Sequence, residues 1–221
     1  MKNFKKTYFL TQIKFHFSNW QDWLQPFLFY LIIFSLFSIS FSDAPKQLKL
    51  IYPAVFWIAT FLAHILSLNL LFQDDFDDGT ILYNLLQPIP FETLVWIKIL
   101  VHNLFFLGLA ITTQIFAIIF FKVSLDQIVK IILISFFCIP GMTSIGALIS
   151  ALIVASRKNW LLLITLIIPF YIPIFLFAQI ASQKSEQHLP INGELALLAA
   201  IVVASLLLVP KAVVKALRLS L

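Results

Sequence analysis

The sequence predicts an all-α membrane protein with six transmembrane helices, and three features of it predict that class. Only 11% of the 221 residues are charged while 61% are hydrophobic, whereas an ordinary soluble domain carries roughly 25% charge. Mean hydropathy is +1.00. The few charges punctuate the chain and leave six long windows without any. A soluble fold of this length cannot cover its surface with so few charges. A soluble globular enzyme is therefore excluded, as are disordered, collagen-like and coiled-coil chains.

The windows are residues 23–42, 50–73, 99–121, 131–156, 159–183 and 195–210. A helix needs about 20 apolar residues to cross a hydrocarbon core roughly 30 Å thick, and the first five windows meet that directly. The sixth meets it by running past Pro210 and Lys211 to about Val214, with Lys211 snorkelling to the interface. Peptide groups in lipid must be satisfied within their own segment, so the spans are helices and not strands. The expected spans are about 24–42, 50–72, 99–121, 131–155, 159–181 and 195–214, within one transmembrane domain over 1–221. Lys-rich Met1–Trp23 followed by Pro26–Ser42 imitates a signal peptide, but the apolar stretch is too long and five more follow. It reads as an uncleaved first span.

Ahead of that span, Phe9, Ile13, Phe17 and Trp20 recur at spacings of three and four among Lys5, Lys6, Gln12 and Lys14. This pattern predicts an N-terminal amphipathic helix over residues 1–23, lying on the lipid bilayer interface. Six spans place both termini on one side. Lys2, Lys5, Lys6, Lys14, Lys98, Arg157, Lys158, Lys211, Lys215 and Arg218 then share that side, against Lys46, Lys49, Lys122, Lys130 and Lys184 on the other. Positive loops stay inside, so both termini are expected in the cytoplasm. The net charge of +5 belongs to this asymmetry and forms no patch for nucleic acid. Cys138 is the one cysteine; it sits in an apolar run as a small packing residue.

Residues that break the apolar rule carry the functional information. After the second span comes Phe72-Gln73-Asp74-Asp75-Phe76-Asp77-Asp78-Gly79-Thr80, four aspartates within five positions on the side where positive charge is the norm. Gly79 can stop a helical turn, and Pro88-Ile89-Pro90 forbids a continuous helix further on. As a metal loop the segment lacks EF-hand spacing, and its carboxylates would hold a hard cation only weakly. As a plain acidic loop it needs no function. As a docking element it offers carboxylates, an aromatic and a short helix to a basic cytoplasmic partner, and this reading accounts best for the combination.

At membrane depth lie His64 in the second span and His102 near the start of the third. Neither has a second ligand at helical spacing as a metal pair would. A lone span histidine is commonly a hydrogen-bonding residue between helices, yet ionisable residues in membranes lean functional and histidine is a haem-iron ligand. Pro140-Gly141 in the fourth span, and Pro169 and Pro173 in the fifth, predict two broken helices, of the kind that bend around a substrate path or a subunit contact; packing alone is the alternative. Phosphate-loop, HExxH and GxSxG motifs are absent from the sequence, so this chain does not bind ATP by a phosphate loop and no catalytic residues are assigned.

These residues together resemble the CcmB family, the membrane permease subunit of the bacterial cytochrome c maturation ABC transporter. Leu71 to Thr80 is similar to the family's L-F-[RQ]-[DN]-D-[FY]-[ED]-D-G-[ST] signature. Leu86-Gln87-Pro88-Ile89-Pro90, Lys98 to His102, Pro140 to Ala147 and Pro169 to Pro173 resemble further family stretches in the same order. Asn103, Ile139 and Ala178 depart from residues usual in the family, which are Trp, Thr and Gly. The resemblance implies an ABC-2-type permease in the bacterial inner (plasma) membrane. It further implies a non-catalytic subunit, with ATP hydrolysis in a partner cytoplasmic ABC ATPase, and other membrane subunits of the maturation system as partners. Haem is the implied transported species, or haem-loaded chaperone is released at the outer face, with no cofactor bound to this chain. Gln73, Asp74, Asp75, Phe76, Asp77, Asp78 and Gly79 would be the coupling element for the ATPase; His64, His102, Pro140, Gly141, Pro169 and Pro173 are the candidates for a substrate path. An ion-coupled secondary transporter and a non-transporting scaffold of a haem-handling complex remain as alternatives.

Overall fold

Helix follows helix along the whole described chain. The computed structural model describes residues 2–87, 89–156 and 160–220. Pro88 of the expected Pro88–Pro90 turn, and Arg157 and Lys158 of the charge asymmetry, lie outside the described residues. The elements are α1 (Lys2–Ser18), α2 (Trp20–Ser40), α3 (Pro45–Ser67), α4 (Asn69–Asp77), α5 (Thr80–Leu85), α6 (Phe91–Phe121), α7 (Leu125–Ile153), α8 (Trp160–Glu186) and α9 (Asn192–Leu219). A 3-10 turn, Val154–Ser156, follows α7. No strand occurs among the described residues.

Six segments are long and apolar enough to cross a membrane: Trp20–Ser40, Pro45–Asp77, Phe91–Phe121, Leu125–Ile153, Leu161–Glu186 and Asn192–Leu219. Most overrun the charge-free windows, because backbone hydrogen bonding continues into the charged flanks once a helix is nucleated. The amphipathic helix closes earlier than residue 23, at Asn19, where α2 begins. Its bundle-facing position is His16, 4% exposed, whereas Phe17 and Trp20 of the expected apolar stripe are 69% and 59% exposed. Phe9 and Ile13 of the same stripe are half-buried, and α1 packs along α6.

The broken helices expected at Pro140, Pro169 and Pro173 are not found. α7 runs through Pro140 and α8 runs through Pro169 and Pro173 as unbroken α-helix. A proline deletes only one hydrogen bond from a helix of this length. In lipid the alternative is several unsatisfied peptide groups, and hydroxyl side chains help to satisfy freed carbonyls.

α7 is the central helix and packs on α6, α8 and α9. Gly141 supports this: a Cβ there would reach ordinary contact with Ile201 and Val202 on α9 and Ile174 on α8. Lipid supplies no hydrophobic drive between helices, so packing and polar bonds join them. Trp57 Nε1 donates to Ser182 Oγ at 2.8 Å, and the Tyr30 hydroxyl donates to Thr60 Oγ1 at 2.9 Å. The Tyr52 hydroxyl bonds Gln114 Oε1. Rings of Phe34, Tyr52 and Phe121 close around this region.

Candidate functional site

The acidic segment is a helical extension of the second span with a joint in it. α3 ends at Ser67 and α4 starts at Asn69, so Leu68 is the joint. Its carbonyl accepts from the Ser150 hydroxyl of α7 at 3.4 Å, and its side chain fills the space that a Cβ on Gly146 would occupy. Small residues on α7 thus seat the joint. α4 then stops at Asp78, and Gly79 takes φ +78°, the left-handed conformation that glycine adopts freely. Asp78 Oδ1 accepts the Thr80 N–H at 2.9 Å, opening α5, and the bonds from Thr80 hold its carboxyl below the usual carboxylate range.

The four aspartates are not equivalent. Asp74, Asp77 and Asp78 are exposed while Asp75 is half-buried. Asp77 Oδ1 accepts from Gln73 Nε2 at 3.2 Å. Asp75 turns inward to an ion pair with Lys98 of α6, whose ammonium also lies 5.9 Å from the Phe72 ring centroid. Tyr8 of α1 closes the same corner: Asn84 Nδ2 of α5 donates to its hydroxyl at 3.5 Å. Burial, and then the Asp75 charge, push that hydroxyl up to about 12. Asp75 therefore ties α4 to α6 beside the Asn84–Tyr8 bond that links α5 to α1, and the other three carboxylates are on the exposed face. The sequence pattern groups all four; the signal for the difference is Lys98 standing alone at the mouth of an apolar span.

Deeper, His64 and His102 come together with rings 5.9 Å apart. Their partners fix the neutral tautomers. The Tyr171 hydroxyl lies 2.8 Å from the Met142 carbonyl and 3.0 Å from His64 Nδ1. A carbonyl only accepts, so the phenol proton goes there and His64 Nδ1–H donates to the phenol oxygen. His64 Nε2 then accepts from the Thr143 hydroxyl at 3.0 Å, the nearer of that hydroxyl's two acceptors, Asn103 Oδ1 being at 3.3 Å. Likewise the Ser67 hydroxyl donates to the His64 carbonyl at 2.8 Å, so His102 Nε2–H donates to Ser67 Oγ at 3.2 Å. His102 Nδ1 is left with a buried lone pair and no partner.

Of the residues expected along a path, His64 and His102 meet, while Gly141 faces α9 and α8. Pro169 and Pro173 are exposed on the outside of α8. Tyr171, Thr143 and Ser67 complete the polar centre, and sequence reading did not single them out as partners of His64. Ser67 stands three residues after His64, a spacing that puts both on one helix face. Among the described residues no three metal-ligating side chains converge.

Six apolar helices, an interior held by hydroxyl–imidazole bonds and an acidic helix jointed to the second span define a multi-pass, all-α membrane protein. The chain belongs to the CcmB family: the family model described as "CcmB protein" matches residues 5–220. It is similar to "Heme exporter protein B" of Pseudomonas aeruginosa, 34% identical over 88% of this chain and 87% of that protein. The protein of the same description from Haemophilus influenzae is 34% identical over 90% of each chain, and that from Escherichia coli K12 is 31% identical over 96% of each.

Proposed function

We propose that this chain is the membrane permease subunit of an ABC transporter that exports haem for cytochrome c maturation in the bacterial inner membrane. On this reading both termini and α4 face the cytoplasm, and a separate ATPase subunit binds and hydrolyses ATP. Gln73 to Gly79 receive the ATPase stroke, and other membrane subunits of the maturation system complete the assembly. The observation that carries the reading is the division of labour within the acidic segment. Asp75 is held by Lys98 inside the protein, while Asp74, Asp77 and Asp78 are exposed beyond the apolar windows. Carboxylates outside the lipid-facing surface, on a helix jointed at Leu68, suit a basic partner that pushes on α4. Movement at the joint would reach α7 through Gly146 and Ser150, and the imidazole pair through Tyr171, biasing two packings of the spans.

The test is affinity purification of the tagged chain from native membranes, with the co-purifying ATPase quantified. The triple variant Asp74→Asn, Asp77→Asn, Asp78→Asn is expected to lose most of the ATPase while its own yield and elution volume stay unchanged. Undiminished co-purification would falsify the coupling role of these three residues.

A further inference from the structure

At the end of the bundle opposite the acidic segment, the starts of α3 and α7 and the end of α8 enclose a polar cavity. Its volume is about 310 Å3, at the lower end of the roughly 300–1,000 Å3 common for small-molecule sites. Lys49, Asp126, Lys130, Glu186 and His188 all line it, in a chain of which only 11% is charged. These charges share one level. Lys49 immediately precedes the charge-free window 50–73, Lys130 immediately precedes 131–156, and Glu186 comes just after 159–183. The cavity therefore lies in the headgroup layer, at the edge of the hydrocarbon. Leu50, also in its lining, is 71% exposed at the start of an apolar span.

Some of the lining is already bonded. Lys130 Nζ lies 2.7 Å from Asp126 Oδ2 and donates to the Ser185 carbonyl at 3.1 Å. Gln127 Nε2 donates to Glu186 Oε1. The rest is open: among the described residues the Lys49 ammonium, Glu186 Oε2 and the His188 ring have no hydrogen-bond or ion-pair partner. His188 takes φ +56°, and the Leu189 N–H closes the turn on the Lys184 carbonyl at 2.9 Å. Glycine is the usual residue in such a helix-ending turn; here the position brings an imidazole to the cavity.

The two lysines and two carboxylates cancel in formal charge, and that balance selects the ligand. A simple anion would be repelled by Asp126 and Glu186. A metal cation would be repelled by Lys49 and Lys130, and among the described residues no three metal-ligating side chains converge. A zwitterion suits both halves, its phosphate beside Lys49 and its ammonium beside the open oxygen of Glu186. The described lining has no Phe, Tyr or Trp to cage a quaternary ammonium, whereas a primary ammonium donates hydrogen bonds to carboxylates. We infer that this cavity binds the phosphoethanolamine headgroup of a phospholipid, Lys49 holding the phosphate and Glu186 the ammonium, with an acyl chain along Leu50. Such a lipid ties the start of α3 to the end of α8. The inference is independent of the permease reading.

Native mass spectrometry of the delipidated full chain in detergent, titrated with lipids of identical acyl chains, tests this. One phosphatidylethanolamine per chain is expected to bind at least tenfold more tightly than phosphatidylglycerol or phosphatidylcholine, and to raise the midpoint of thermal unfolding. Lys49→Gln should weaken phosphatidylethanolamine at least fivefold. Glu186→Gln, which keeps an acceptor for Gln127, should weaken it similarly while leaving phosphatidylglycerol binding undiminished. Lys46→Gln, which removes an exposed lysine of the same helix outside the cavity, should change nothing. All three variants should elute as the parent does. Equal retention of the three lipids by the parent overturns the inference, as do unchanged affinities in Lys49→Gln and Glu186→Gln. An equal loss in Lys46→Gln also overturns it, by assigning the effect to surface charge at large. Soluble glycerophosphoethanolamine binding as tightly as the lipid would overturn the membrane source of the ligand.

Discussion

Asp75 on α4 and Lys98 on α6 form an ion pair whose side chains are only 16% and 7% exposed. The pair lies where four helices meet, under the Phe72 ring and beside Tyr8. Removing one partner of a shielded pair leaves the other charge uncompensated, which costs about 3–5 kcal/mol when burial is complete. Partial exposure lowers that figure here. Asp75→Asn and Lys98→Met are each expected to destabilise the protein by about 2–3 kcal/mol in denaturant titrations in detergent micelles. The double variant should recover at least half of that loss. Asp74→Asn, on the exposed face, should shift stability by less than about 0.5 kcal/mol. Additive losses in the double variant would show that the two residues do not act as a pair.

Tyr171 is the acceptor that fixes His64. Tyr171→Phe removes the phenol oxygen, leaving the buried His64 Nδ1–H without a partner and the Met142 carbonyl without a side-chain donor. A loss of about 1–3 kcal/mol is expected, read as a lower midpoint of thermal unfolding in detergent. Thr165→Val, on the exposed face of α8, is the control: it also removes a hydroxyl from that helix and should leave the midpoint nearly unchanged. Equal midpoints for Tyr171→Phe and the parent would remove the proton assignment given above.

The six apolar helices were legible in the sequence, because a charge inside hydrocarbon is costly enough that gaps between charges count helices directly. The left-handed turn at Gly79 was legible for a local reason: glycine is the residue that takes φ +78° without strain. The meeting of His64, Thr143 and Tyr171 was not, since it joins α3, α7 and α8 across long sequence separations and no local pattern encodes a helix's rotation about its axis. The breaks expected at Pro140, Pro169 and Pro173 failed because the local rule for proline was learned in water, where a broken helix can bond to solvent. In lipid the helix persists. His16 was passed over for a related reason: its neighbours on α1 suggested a stripe at Phe9, Ile13 and Phe17, and only the packing against α6 turns the histidine inward.

Glycines 146 and 108 make an internal contrast. A Cβ on Gly146 would overlap the Leu68 side chain and the Tyr171 hydroxyl, whereas one on Gly108 meets nothing. Gly146→Ala is expected to destabilise by about 1–3 kcal/mol through overpacking and to displace the α3–α4 joint. Gly108→Ala should be neutral or stabilising by up to about 1 kcal/mol, as alanine is the better helix former. Thermal unfolding of both variants side by side checks the pair. Similar effects from the two would mean that the joint does not rest on Gly146.

The docking of α1 should depend on pH through His16. In the docked state burial, with Lys98 as a nearby positive charge, holds the ring down to about 4; undocked in water it returns to about 6.5. Lys98 and His102, both on α6, are the basic groups that bear on it. The docked state therefore binds fewer protons than the undocked state. Docking is at full strength above pH 6.5 and weakens as pH falls from 6.5 toward 4, by about 1.4 kcal/mol per pH unit at most before solvent screening reduces it. Hydrogen exchange of the α1 amides between about pH 7.5 and 5, a range that brackets the free imidazole, should show protection lost on the acid side once the intrinsic pH dependence of exchange is corrected. His16→Phe keeps a ring against Phe105 and cannot take up a proton, so its protection should stay flat over the same range. An identical slope in His16→Phe would assign the effect to another group and leave His16 as packing alone.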